Sequence, residues 1–336
     1  MPEKKIGNQT LQFNSKPKLL SWSSIVGPME GKGPLGKHFD LVLKDNLLEG
    51  DTSWEKTEQK MMQHSMEIAL EKIKLQAGDL DFYLAGDLLN QIMNANFTAR
   101  FLGISFLGLY GACSTLTEGL SLAGMLIDGG FAKQVGVSAS SHYDTAERQL
   151  RYPTEMGVQR PMTAQWTVTG AGSYIVGKAD SGIQLTHATI GKVKDMGVSN
   201  ANDMGTAMAP AALDTIKAHL QDLGRSMSDY DIIITGDLGV LGTTVLKELF
   251  HKEGYPTDNI SDCGLLIYGP DQDSHSGGSG CGCSSVVLNY LLGQMLNKKA
   301  RRILLVGTGA LLSPVTSWQG ESIPCIAHGV VLEYYG

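Results

Sequence analysis

Asp81-Phe-Tyr-Leu-Ala-Gly-Asp87-Leu88 returns 150 positions later as Asp231-Ile-Ile-Ile-Thr-Gly-Asp237-Leu238. Each is a short apolar run ended by Gly-Asp, the pattern of a strand buried on both faces. Each follows an amphipathic stretch, Glu58 to Leu75 in the first copy and Ala209 to Leu223 in the second. A second pair of segments matches at a shift of 170: Cys113-Ser114 with Cys283-Ser284, Met125-Leu126 with Met295-Leu296, and Gln134 to Val137 with Leu304 to Gly307. Both copies read as a turn, a helix of about four turns and a buried strand. The change of shift places about 20 extra residues between Leu238 and Cys283, where the Gly- and Asp-rich stretch from Asp271 to Gly282 supplies a loop. Strands alternating with helices predict an α/β protein, and the duplication predicts two similar halves, residues 1–180 and 181–336.

Composition sets the class. Of 336 residues, 42% are apolar and 18% charged, so a buried core is possible and bulk disorder is excluded. The formal charge of -7 gives neither nucleic acid nor an anionic membrane surface a basic tract to bind. The opening Met-Pro-Glu-Lys-Lys leads into polar sequence rather than an apolar core, so no secretion signal is expected. No apolar run approaches the ~20 residues of a spanning helix. Five cysteines suit reduced thiols better than a disulfide framework.

The stretch from Ser140 to Trp166 interrupts the repeat. It is polar, carries Arg148, Arg151 and Arg160, and leads into the strand-like Thr167 to Val176. An inserted region of this length (140–166) is expected to be a binding loop or to carry short helices of its own.

Cys113 sits in Tyr110-Gly-Ala-Cys-Ser-Thr-Leu-Thr-Glu118, at the corner between a buried strand and a helix. Thr115 and Glu118 have capping-box spacing, which starts the helix next to the thiol. Free N–H groups there favour a thiolate, and Gly111 permits a sharp turn. The plainer reading is a structural cysteine packed as a small hydrophobe.

The order strand, Gly-Ala-Cys-Ser, helix, strand, followed by Thr169-Gly-Ala-Gly172, resembles the thiolase-like superfamily of thiolases and ketoacyl synthases. Within it the whole chain is more closely similar to a family of sporulation proteins of spore-forming bacteria. The segments that carry this likeness include Leu84 to Gln91, Arg151-Tyr-Pro-Thr-Glu155, Ala207 to Ala212, Gly277-Gly-Ser-Gly-Cys281 and Ser322 to Gly329. The superfamily implies two βαβαβ halves stacked as α/β/α/β/α layers, with Cys113 as the acyl-accepting nucleophile. The sporulation family implies a protein that binds dipicolinic acid (pyridine-2,6-dicarboxylate), with or without calcium, and supports its uptake into the forespore. The resemblance further implies a homodimer, peripheral to the inner membrane beside the other components of an uptake complex, with no cofactor.

The departure from the condensing-enzyme pattern bears on activity. Those enzymes pair the cysteine with two further polar groups, His-His or His-Asn, that stabilise negative charge and move protons. Where the first histidine belongs, after Asp231 to Ile234, this chain has Thr235-Gly-Asp-Leu-Gly239. His275 lies in a turn resembling that of the second, one residue short in its spacing; a solvated loop histidine is the plainer reading. Non-catalytic binding is therefore the leading expectation, and an acyltransferase using Cys113 the alternative. His275 with Cys281 and Cys283 lacks the spacing and the fourth ligand of structural zinc. Gly307-Thr-Gly309 lacks the third glycine of a dinucleotide loop; by resemblance it is the turn that completes an oxyanion hole, whose donors could equally hold a carboxylate.

An arginine fork suits a rigid dicarboxylate, and three of the seven arginines lie between Arg148 and Arg160. Local pairing with Glu147 and Glu155 is the alternative. His142 is a candidate as either ligand contact or turn residue. Asp87 and Asn90 follow a strand at its C-terminal end, where α/β sheets place ligands. The expected ligand site thus comprises Cys113, Ser114, Asp87, Asn90, His142, Arg148, Arg151, Arg160, His275, Gly307 and Gly309, with no metal.

Overall fold

A computed structural model of the chain describes residues 3–48, 50–151 and 160–336. The first half contributes β1 (Lys18–Val26), β2 (Phe82–Gly86), β3 (Phe106–Gly108), β4 (Gln134–Ser141) and β5 (Gly170–Gly177) in the spatial order β3-β2-β4-β5-β1. The second contributes β6 (Gln184–Thr189), β7 (Ile232–Thr235), β8 (Ile260–Asp262), β9 (Arg302–Ala310) and β10 (Cys325–Glu333) in the order β8-β7-β9-β10-β6. In the first, β2 runs parallel to β3 and β4, and β5 is antiparallel to β4 and β1. In the second, β7 runs parallel to β8 and β9, and β10 is antiparallel to β9 and β6. The same wiring occurs twice. The half-sheets meet where β1 and β6 pair antiparallel, Lys18 opposite Gln184.

Helices complete the layers. On the outer face of the first half-sheet, α1 (Trp54–Lys72) packs on β5, β1 and β4, flanked by α2 (Met93–Leu102). Between the half-sheets lie α3 (Thr115–Asp128) and, later in the chain, a long helix over Cys281–Leu296. A short helix, α4 (Tyr143–Leu150), stands in the inserted region, and α5 (Met204–Leu223) and α6 (Gly239–Lys252) cover the second outer face. The Cys281–Leu296 helix, α7, packs on β5, β4 and β1 of the opposite half, while α3 reaches β9 and β10. The order from face to face is α/β/α/β/α, as the resemblance implied. Glu155, one of the expected arginine partners, lies outside the described residues.

Local chemistry repeats with the topology. Ahead of β2 and β7, capping boxes Gln76/Asp79 and Ser226/Asp229 close short 3₁₀ turns. Asp81 accepts the backbone N–H groups of Lys133 and Gln134; Asp231 accepts those of Arg301 and Arg302. These contacts bind each βαβ unit at its N-terminal edge. They also correct the register of the duplication. Strands β4 and β9 begin at Gln134 and Arg302, and α3 and α7 end at Asp128 and Leu296, a shift of 168. Cys281, rather than Cys283, is therefore the counterpart of Cys113. Matching Cys-Ser to Cys-Ser by identity misses this, because strand pairing sets the register.

The capping-box expectation also changes. Ser114 occupies the N-cap of α3 without a side-chain cap, Thr115 donates to Ala112 O at 2.6 Å, and Glu118 reaches back to Gly111. In α7, Cys281, Gly282, Cys283, Ser284 and Ser285 are all buried, because a helix between two sheets has no solvent face. Small residues let the backbones approach closely. A Cβ placed on Gly172 of β5 would come within 2.2 Å of Ser285 O. We therefore expect Gly172→Ala to destabilise the protein by about 1–3 kcal/mol or more, since the contact is with backbone and cannot rotate away. Denaturant unfolding checks this: a midpoint unchanged from wild type would contradict the close packing of α7 on β5.

Candidate functional site

Parallel strands deliver their C-terminal ends to one edge of each half-sheet, and β2 and β7 both end there in Gly-Asp. The two aspartates act across the halves. Asp237, from the second half, lies close enough to Cys113 in the first for its carboxylate to oppose ionisation of that thiol. Asp87, from the first, lies close enough to Cys281 in the second for its carboxylate to oppose ionisation of that thiol.

Cys113 occupies a 3₁₀ turn over residues 112–114, preceded by Ala112 at φ 49°. A left-handed alanine is strained and persists where the surroundings enforce it. Here Cys281 Sγ donates to Ala112 O at 3.0 Å, and Gly309 of β9 lies against Gly111 O, where an added Cβ would come within 2.4 Å. The Asp237 carboxylate is anchored by Thr308 Oγ1 at 2.7 Å and by the N–H of Gly280 at 3.0 Å. Burial pushes Asp237 up to about 6. Burial foremost, then the Asp237 charge, holds the Cys113 thiol well above its ordinary value. The expected thiolate is therefore corrected: the free N–H groups at the helix start do not outweigh desolvation and an adjacent carboxylate.

Beside this turn lies a cavity of about 310 Å³, at the small end of ligand sites. Its walls come from the segment after β2 (residues 87–92), the Cys113 turn, the end of α4, the Ser279-Gly280 turn and the segment after β9 (residues 310–312). Two further left-handed residues, Gln91 (φ 60°) and Ile92 (φ 48°), lie in this wall.

Of the expected site residues, Cys113, Asp87, Asn90 and Arg151 line this cavity. Arg151 is its cation. Its side chain is 3% exposed, and its guanidinium pairs with Glu147 and donates to Gln165 O at 3.2 Å and Thr167 Oγ1 at 3.1 Å. The structure does not bring the others to the wall. Ser114 is buried and donates to Gly111 O at 2.7 Å. His142 caps α4, accepting the N–H of Asp144 at 3.2 Å, and its other ring nitrogen contacts Asn46 O at 2.7 Å. Arg148 pairs with Glu55 and stacks over Trp54. Arg160 shares Glu147, bonds Gln165 O and packs over the stacked rings of Tyr143 and Trp166. His275 turns to Pro161 O and Asp273. Gly307 and Gly309 pack against Thr117 and the Cys113 turn. The residue missed from sequence is Asp237. Its signal was present, since Gly236-Asp237 repeats Gly86-Asp87.

Comparison with known proteins follows the same lines. The family model for Stage V sporulation protein AD (SpoVAD) matches residues 7–333. Stage V sporulation protein AD of Bacillus subtilis (strain 168) is 48% identical over 332 residues, covering 98% of this chain and 98% of that protein. Among solved structures, 3-oxoacyl-[acyl-carrier-protein] synthase III from Aquifex aeolicus VF5 superposes with a TM-score of 0.60 at 15% identity, over 95% of this chain and 100% of that one. A single-residue variant of OleA from Xanthomonas campestris gives 0.64 at 13% identity, over 96% and 99%. At such identities the structural likeness establishes the fold, which is thiolase-like.

If Asp237 suppresses the thiolate, Cys113 alkylates with iodoacetamide more slowly than a free cysteine at about pH 8, and Asp237→Asn speeds it severalfold. Peptide mass spectrometry over time reads both rates. Equal rates in the two proteins would remove Asp237 from the account.

Proposed function

The chain belongs to the stage V sporulation protein AD family, and from that membership we propose that it binds dipicolinate in the cavity beside Cys113 without catalysing a reaction. It is a sporulation protein on a thiolase-like fold; the ligand and the absence of turnover are the inference. One observation carries it: a buried carboxylate, Asp237, lies beside the Cys113 thiol where a condensing enzyme requires a histidine. Loss of one charge-stabilising donor typically lowers such rates by about a hundredfold or more. Here the donor is not only absent but replaced by negative charge.

What supports a dicarboxylate is the Arg151 guanidinium in the wall, held in place by Glu147, Gln165 O and Thr167. Such a fork matches a carboxylate in plane. The thiol of Cys113 is then a small lining group beside the ring. Support for uptake into the forespore, as a peripheral part of a membrane complex, belongs to the same proposal. Among the described residues no helix is long and apolar enough to cross a membrane, and the acidic chain lacks a basic tract, so attachment would run through protein partners. A homodimer is proposed through the edge strand β3, where Leu107 and the neighbouring Phe101 are exposed. Sedimentation equilibrium showing a monomer at micromolar concentration would contradict that.

Calorimetry with dipicolinate tests the binding reading. Arg151→Gln should weaken binding by about 1.5–3 kcal/mol, the worth of a charged hydrogen bond, while Arg148→Gln, outside the cavity, leaves it unchanged. Cys113→Ala should alter affinity only modestly. Thermal unfolding of Arg151→Gln shows whether the loss of a partner for Glu147 has disturbed the fold. A stable acyl adduct on Cys113 after incubation with an acyl-CoA, with no dipicolinate binding, would favour the acyltransferase.

A further inference from the structure

An anionic ligand in this cavity meets an acid. Asp87 lies in the wall at 4% exposure, and Glu58 of α1 stands behind it at 1%. Glu58 accepts from Ser140 Oγ on β4 and Thr145 Oγ1 on α4, each at 2.9 Å. Asp87 accepts the N–H groups of Leu89 at 2.9 Å and Ala95 at 2.8 Å. The other titratable groups that face the pair are the Tyr83 hydroxyl from β2 and the Cys281 thiol from α7, both uncharged at neutral pH. The Asn94 side chain of α2 lies beside Glu58, and its backbone N–H faces Asp87. Arg151, elsewhere in the cavity wall, is paired with Glu147. Among the described residues no lysine or arginine forms an ion pair with Glu58 or Asp87. Two buried carboxyls without a counter-ion do not both ionise, so they retain a proton well above the ordinary carboxylate range.

We infer that the cavity takes up its dicarboxylate together with a proton, held on the Glu58–Asp87 pair. This rests on the dicarboxylate reading above. A dianion brought against the cavity wall raises the pair's affinity for protons, and by linkage protonation of the pair raises affinity for the dianion. A divalent cation could neutralise the same repulsion. The geometry favours the proton: both Asp87 oxygens already accept N–H groups, and no cluster of three metal-ligating side chains exists among the described residues. Burial raises both groups, and their mutual repulsion raises Glu58 further.

The sign follows. A dicarboxylate is fully ionised above about pH 6, so any further change in affinity comes from the protein. Affinity is highest where the pair holds its protons and weakens as pH rises, by up to about tenfold per unit for one proton. Calorimetry of the full chain with dipicolinate from about pH 6 to about pH 9, in buffers of different ionisation enthalpy, reads affinity and proton uptake together. Wild type should weaken across this range and take up protons on binding. Glu58→Gln keeps the hydroxyl contacts but cannot lose a proton, so its affinity should flatten in the upper part of the range and exceed wild type at about pH 9. Binding that is flat with pH, or a pH dependence unchanged in Glu58→Gln, overturns the proton linkage alone. A requirement for added calcium, abolished by chelator and without proton uptake, assigns neutralisation to the cation and also overturns it. No binding at any pH overturns the dicarboxylate reading and this inference with it.

Discussion

The packing of α3 and α7 between the two half-sheets is the constraint on which the molecule depends. Each helix must satisfy sheets on both sides, so neither has a polar face to spare, and their first turns meet where the halves join. Gly172 against Ser285 O and Gly309 against Gly111 O are the contacts that set how closely the layers approach. Because both helices begin at that junction, their leading cysteines, Cys113 and Cys281, come together. The Gly-Asp ends of β2 and β7 then reach across, Asp237 to Cys113 and Asp87 to Cys281. The site is a consequence of duplication, not an addition to it.

The surroundings of Cys113 bear on what a thiolase-like scaffold does here. Catalysis at such a cysteine asks for a thiolate and for donors that meet developing negative charge. Burial and the Asp237 carboxylate hold the thiol protonated. Ala112, in the left-handed region, holds the turn at Cys113 sharp. What remains is a small cavity with one fixed guanidinium, a neutral thiol and an acidic wall.

Much of the fold was legible because duplication leaves a pattern that composition cannot mimic. The repeated Gly-Asp strands, the amphipathic segments ahead of them and the turn–helix–strand unit at Cys113 all stand where they were expected. The register was not legible, since the identity of Cys-Ser pointed to Cys283 while strand hydrogen bonding selects Cys281. The site was half legible. Cys113, Asp87, Asn90 and Arg151 share one cavity, yet position in sequence could not separate Arg151 from Arg148, three residues away on the same short segment. That separation depends on where α4 ends: Arg148 turns to Glu55, and Arg151, at its C-cap, turns inward. His142 was ambiguous for a similar reason, as a histidine after a strand can cap the next helix as readily as line a pocket. Glu58 gave no signal, because an acidic residue on an amphipathic helix is read as solvated until the layer above it is known.

The central claim is that the cavity beside Cys113 binds a dicarboxylate and does no covalent chemistry. A crystal structure of the chain grown with dipicolinate tests it most directly. One planar ligand is expected beside the Cys113 turn, with a carboxylate on the Arg151 guanidinium and no bond to sulfur. An empty cavity with the ligand elsewhere, or an acyl group covalently attached to Cys113, would contradict it.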